Sequence, residues 1–294
     1  MSHSDYLQRI LFDDPGVRCV YVRLEQVQSE VFRRGQYPPA GRRLLGQALL
    51  VAGLMSSGLK FSGRISLQLR GEAALRLLVA DCTDQGGLRG VLSQEDASAD
   101  LPLESGLPAL AGAGGILTLT LDPSDGGQRW QGMVPIEGGT LAEVVAGYFE
   151  RSEQLPTRFR LAADDNGASA LMIQRLPGEP ADPDGWNRLI HLLGSVTDDE
   201  LLGLPGETLL RRLFHAEPRR VFPPRPLHFH CPCSRERVAA ALHALGGEEL
   251  EHMATEPDPI EVRCQFCNQT YTFDPLDLAA LRHGDVGAGG GSVH

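Results

Sequence analysis

The strongest constraint on this chain is a pair of cysteine doublets, Cys231-Pro232-Cys233 and Cys264-Gln265-Phe266-Cys267, separated by 30 residues. Together they supply four soft sulfur donors, the set that a tetrahedral zinc site takes, and a complete four-thiolate shell leaves no coordination position for water or substrate. The expected role is therefore structural or regulatory rather than hydrolytic. The alternatives are an iron–sulfur cluster, unligated thiols and ordinary disulfides. Residues 1–14 mix Asp, Arg and Gln with apolar side chains and lack the apolar run of a secretory signal. A reducing compartment is thus expected, where clustered cysteines are more often metal ligands or redox elements than structural cross-links. His228 and His230 lie next to the first doublet, but four sulfurs already fill a shell, so both are expected to be solvated.

The segment carrying the doublets is short of large apolar residues. A core of that size supplies about 3 to 5 kcal/mol, whereas a structural zinc contributes about 10 to 16. Oxidising Cys231 with Cys233, or Cys264 with Cys267, would remove thiolates the metal requires, so oxidation would become unfolding. Between the doublets, residues 235–245 read as helix and 260–264 as extended, with 271–273 extended after them. Arg235, Arg237 and Arg263 either balance the sulfur charge or lie solvated at the surface.

The 294 residues are more than one average core serves, which predicts a large and a small domain. Apolar residues from Val17 to about Phe32 are spaced as in an extended segment, and Pro38-Pro39 opens a buried helix to Met55. Alternating Ile65, Leu67 and Leu69, the run 75–80 and the run 88–92 after a turn at 84–87 predict antiparallel strands, as do 116–121 and 128–136 around a turn at 122–127. Thr140 with Glu143 has the spacing of a capping box, and a hairpin turn at Asp164–Gly167 divides 158–172. After Pro177, loop chemistry and short helices (186–193, 198–202, 207–214) replace the sheet pattern. Residues 216–230 hold four prolines and cannot be regular helix. The glycine-rich end from Gly284 is expected to be disordered.

The fold class is α+β: an N-terminal domain of antiparallel sheet with packed helices (1–177), a helical, metastable linker region (178–230), a small four-cysteine zinc-binding domain (231–283) and a tail (284–294). Cys19 and Cys82 fall on strand-like segments and are expected to be core residues. Gly112-Ala113-Gly114-Gly115 lacks the lysine and following helix of a phosphate-binding loop. A net charge of −11 argues against a nucleic-acid partner, which needs a cationic face. From Cys231 to His283, four arginines and no lysine face nine acidic residues, a net of −5, so a zinc-ribbon nucleic-acid module is disfavoured. A thiol–disulfide oxidoreductase using Cys264 and Cys267 is the other rival, but the Tyr271-Thr272-Phe273 run predicts a strand where such an enzyme has a helix. The apolar stretch 44–59 is too short and too interrupted to span a bilayer.

The C-x-C, 30-residue spacer and C-x-x-C resemble the heat shock protein 33 family of bacterial redox-regulated holdase chaperones. Ser152-Glu153-Gln154-Leu155-Pro156-Thr157, Leu88-Arg89-Gly90 and Leu59-Lys60 before a strand carrying Gln68 extend the resemblance over nearly the whole chain. Gly71-Glu72-Ala73-Ala74 departs from it, since many members are richer in glycine there. The resemblance implies an ATP-independent holdase, not an enzyme, in the bacterial cytoplasm. It implies one zinc per chain on Cys231, Cys233, Cys264 and Cys267 in a reduced, inactive form. On oxidation it implies Cys231–Cys233 and Cys264–Cys267 disulfides, zinc release and unfolding of the linker. The implied partners are unfolding client proteins, a second copy when oxidised, and ATP-dependent foldases downstream, with neither nucleic acid nor membrane.

Overall fold

The computed structural model describes residues 4–59, 62–96, 105–255 and 258–282. The chain divides into two compact units, the first ending at His230 and the second starting at Cys231. Residues 178–230 thus pack with the first unit. Its elements begin with strands β1 (Tyr6–Phe12) and β2 (Val17–Leu24), helices α1 (Gln26–Arg34) and α2 (Pro39–Ser56), and strands β3 (Gly63–Arg70), β4 (Leu75–Thr83) and β5 (Gly87–Gln94). There follow α3 (Leu107–Ala111), β6 (Ile116–Pro123), β7 (Trp130–Pro135), α4 (Leu141–Tyr148), β8 (Thr157–Ala163) and β9 (Ala168–Arg175). Helices α5 (Gly185–Gly194), α6 (Asp198–Gly203) and α7 (Gly206–Leu213) and two-residue strands β10 (Arg220–Val221), β11 (Arg225–Pro226) and β12 (His228–Phe229) complete it.

Two sheets enclose α2. The first runs β10-β1-β2-β9-β8 with β11 also on β1, and the second runs β12-β5-β4-β3-β6-β7. Thirteen of the 18 residues of α2 are buried, because it presents apolar side chains to both sheets, leaving only Pro39 and Arg43 exposed near its start. The second sheet buries one face, through Ile65, Leu67, Leu69, Leu78, Ala80, Leu117 and Leu119. Its other face carries the Arg64–Asp81–Arg89 and Arg64–Asp122 ion pairs, hence the apolar/polar alternation of β3 and β6. The first sheet is buried on both faces: Val20, Val22, Ala170 and Met172 meet α2, while Cys19, Tyr21, Leu171 and Ile173 meet a second core built from α5, α6 and α7. Leu189, Leu209 and Phe214 are buried in that second core, and Trp186, Leu192 and Leu213 pack against it.

Two expectations are corrected and one strand is added. Residues 26–34 are helical rather than extended, because the Asp5 carboxylate accepts hydrogen bonds from the backbone N–H groups of Glu25, Gln26 and Val27 and so supplies a cap from a distant strand. Sheet structure does not end at Pro177. The proline-rich stretch pairs Tyr6 with Pro226 and Ile10 with Val221, and it pairs Phe229 in parallel with Leu88. Prolines are tolerated there because these are edge strands. Residues 6–12, read only for the lack of a signal sequence, form a strand.

The capping box of α4 is present, with Thr140 and Glu143 bonded reciprocally at 3.0 and 3.3 Å. Gly71 lies in the turn between β3 and β4, where a Cβ would come within 2.4 Å of the Leu75 carbonyl oxygen and 2.7 Å of the Ala111 backbone; only glycine fits. The Ser152–Thr157 segment turns on Gln154, whose φ of 55° is left-handed, and is tied down by the Thr157 hydroxyl, which accepts from Gln174 Nε2 at 2.8 Å. Gly112 follows α3 in a plain turn closed by Gly115 N–H to the Gly112 carbonyl. Lys60 and the tail from Gly284 lie outside the described residues.

Candidate metal centre

The second unit contains helices α8 (Arg235–His243) and α9 (Gly247–Ala254), strands β13 (Ile260–Arg263) and β14 (Thr270–Phe273), and helix α10 (Pro275–Arg282). Sequence periodicity had indicated α8 and the two strands but neither α9 nor α10, both short and mostly exposed. The apolar core consists of Ala239, Leu242, Leu250, Phe273, Leu278 and Leu281.

Each cysteine doublet occupies a locally determined turn. Cys264–Cys267 closes the β13–β14 hairpin: Cys264 N–H donates to the Gln269 carbonyl at 2.9 Å, and Asn268 N–H donates to the Cys264 carbonyl at 2.8 Å. Asn268 adopts a φ of 60°, a left-handed conformation that asparagine tolerates better than most residues. Cys231 and Cys233 precede Ser234, whose hydroxyl accepts the Arg237 N–H and caps α8. No helix follows Cys267 until Pro275, so the C-x-x-C pair lacks the helix terminus that activates an oxidoreductase thiol.

The two turns bring all four sulfurs within 4.8 Å of one another. Cys231 and Cys264 Sγ are 3.8 Å apart and Cys233 and Cys267 Sγ 3.1 Å, far beyond the roughly 2.05 Å of a disulfide, and all four cysteines are half-buried. A tetrahedral shell with zinc–sulfur bonds of about 2.3 Å has sulfur–sulfur edges of about 3.8 Å, so the Cys231–Cys264 spacing fits it. Tyr271 Oη donates a hydrogen bond to Cys233 Sγ at 3.2 Å. Burial opposes ionisation of Cys233, but that bond and the neighbouring sulfurs outweigh it and hold the thiol at about 7, below its ordinary value. Burial pushes the Cys267 thiol up, as do the sulfurs around it, while the Gln269 N–H pulls the other way. Four thiolates this close cannot all be charged without a cation among them, and a divalent ion would resolve that repulsion. The donor set therefore fits a metal ion held by Cys231, Cys233, Cys264 and Cys267.

The remaining candidates stand elsewhere. Arg235 is committed to Asp277 at 2.7 Å and stacks on the Phe273 ring at 4.3 Å, so its charge is met by a carboxylate. Arg237 and Arg263 are exposed, as are His228 and His230. Cys19 and Cys82 are fully buried in the first unit, and burial pushes both thiols up, Cys82 to about 11, which leaves them unreactive. Sequence alone places Tyr271 on a strand and gives it no role at the sulfurs. Its period-2 phase with the buried Phe273 was the signal that it faces inward.

Two α/β-layered sheets around a buried helix, joined in sequence to a four-cysteine metal-type module, define an α+β protein with a thiol-rich accessory unit. Residues 5–274 match the family model described as Hsp33 protein, and the chain belongs to the Hsp33 family. It is 45% identical over 289 residues to the 33 kDa chaperonin of Pseudomonas aeruginosa, covering 96% of this chain and 95% of that one. It is 41% identical to the 33 kDa chaperonin of Neisseria meningitidis, covering 97% and 94%. The crystal structure of the 33 kDa chaperonin (heat shock protein 33 homolog) of Thermotoga maritima superimposes with a TM-score of 0.83 at 25% identity, covering 97% of this chain and 99% of that one. No helix among the described residues is long and apolar enough to cross a membrane.

Proposed function

We propose that this protein is a redox-regulated, ATP-independent chaperone rather than an enzyme: silent when reduced and zinc-bound, and active as a holdase for unfolding proteins once oxidised. The observation that carries this reading is the convergence of four half-buried sulfurs within 4.8 Å in a unit whose core, among the described residues, holds six buried apolar side chains. Cys231, Cys233, Cys264 and Cys267 would hold one zinc, which when bound supplies the cross-link that so small a core cannot. In the oxidising step two thiolates surrender two electrons to peroxide, which takes up two protons and leaves as two waters; one sulfur–sulfur bond forms for each peroxide consumed.

Sulfurs also lie close across the doublets, Cys233 to Cys267 at 3.1 Å and Cys231 to Cys264 at 3.8 Å. The disulfides proposed are nonetheless Cys231–Cys233 and Cys264–Cys267, because once the unit opens only partners two or three residues apart stay close, and a 30-residue loop costs more entropy to close. Unfolding of residues 231–283 then frees the linker region 178–230, whose loosening would uncover the apolar second face of the first sheet. That face would engage clients in the bacterial cytoplasm, with dimerisation of the oxidised form and transfer of clients to ATP-dependent foldases.

The test measures zinc content and suppression of a model client's thermal aggregation on one preparation, before and after peroxide at elevated temperature. Zinc release with new holdase activity, reversed by thiol reductant, is expected. Retained zinc with no gain in activity would sink the proposal, and disulfide mapping by mass spectrometry checks the pairing.

A further inference from the structure

Tyr271 reaches out of the hairpin that carries Cys264 and Cys267 and bonds to Cys233, a cysteine of the other doublet. It thus joins the two halves of the sulfur cluster independently of any metal. Its ring packs against the core of the second unit, and its hydroxyl donates to Cys233 Sγ at 3.2 Å. A hydrogen bond draws electron density from a thiolate lone pair, which strengthens the ligand's hold on its position and makes the sulfur a poorer nucleophile toward peroxide. Backbone N–H groups such as that of Gln269 do the same for other sulfurs. Tyr271 is a side chain, so its donor can be removed while the backbone and the ring stay in place.

We infer that Tyr271 is a positioning residue that sets the oxidant threshold of the sulfur cluster, its O–H to Cys233 Sγ holding the reduced centre against premature oxidation. The inference rests on the zinc-switch reading above and adds a second determinant to it. Oxidation of Cys233 to a disulfide would replace a charged acceptor with a weak one, so the Tyr271 bond favours the reduced state.

The experiment compares the full-length wild type, Tyr271→Phe and a variant with 4-aminophenylalanine at position 271, which restores an N–H donor at the para position. Each is loaded with zinc to follow peroxide-driven release, and with cobalt(II) to record the sulfur-to-metal charge-transfer band. Tyr271→Phe is expected to release zinc about 3- to 10-fold faster and to shift the band to longer wavelength, with the amino variant returning both toward wild type. Unchanged rates and bands in Tyr271→Phe with metal fully bound would overturn the inference while leaving the zinc switch intact. Failure of both variants to take up metal would overturn it too, by showing that ring packing and not the donor is needed. Uptake by the amino variant but not by Tyr271→Phe would support it. A wild type that bound neither metal would refute the switch itself.

Discussion

Asp5 is a carboxylate at the edge of a strand, only 4% exposed, yet it accepts three backbone N–H groups from residues 25–27 while its own carbonyl receives the Leu227 N–H. One side chain thereby ends β2, starts α1 and adjoins the anchor point of the proline-rich segment. Asp5→Ala leaves these donors without their acceptor, that of Val27 in a buried place, and is expected to destabilise the first unit by about 1 to 3 kcal/mol, measured from its urea midpoint. Nothing within a few residues of Gln26 announces this, so a local reading of 17–32 as continuous strand was bound to fail there. Gly71 is the opposite case. It stood out because its neighbourhood departs from the family's glycine-rich pattern, and the structure supplies the steric reason that this one glycine remains.

Among the elements, α2 does most to join the two sheets. Leu45, Leu49 and Leu50 are fully buried between them. Leu49→Ala is expected to cost about 2 to 5 kcal/mol, because both walls of the cavity are sheets that cannot collapse onto it, read as a lowered thermal and urea midpoint of the first unit. Strands β2 and β9 are apolar on both faces because one side meets α2 and the other meets α5–α7. Their sequences, Val17–Leu24 and Ala168–Arg175, accordingly lack the alternation of β3 and β6. Helices α5 to α7 were readable as short helical stretches after the loop chemistry at Pro177, although only α6 carries a capping box, Thr197 with Glu200. That their apolar side chains fill the second face of a sheet was not readable. β10, β11 and β12 are too short for any periodicity and exist only because β1 and β5 offer free edges.

The molecule as a whole divides its stability unequally. Among the described residues, the first unit has two extended apolar clusters, while the second has six buried apolar residues around a sulfur cluster. Chelation of the metal should therefore raise hydrogen exchange throughout α8, β13 and β14 while the amides of β2 and β9 stay protected, a contrast that mass spectrometry reads directly. Equal loss of protection in both units would refute this division. The sequence by itself determined the chemistry of the candidate site, since four cysteines at these intervals, each doublet in a turn, are a local pattern written within a few residues. It also determined most strands and capped helices, whose periodicity and end residues are equally local. Only the tertiary structure decided that 26–34 is a helix, that residues 178–230 complete the first unit, and that Tyr271 meets Cys233. Each of these depends on groups far apart in the chain, whose proximity is settled by burial of apolar faces and satisfaction of buried polar groups.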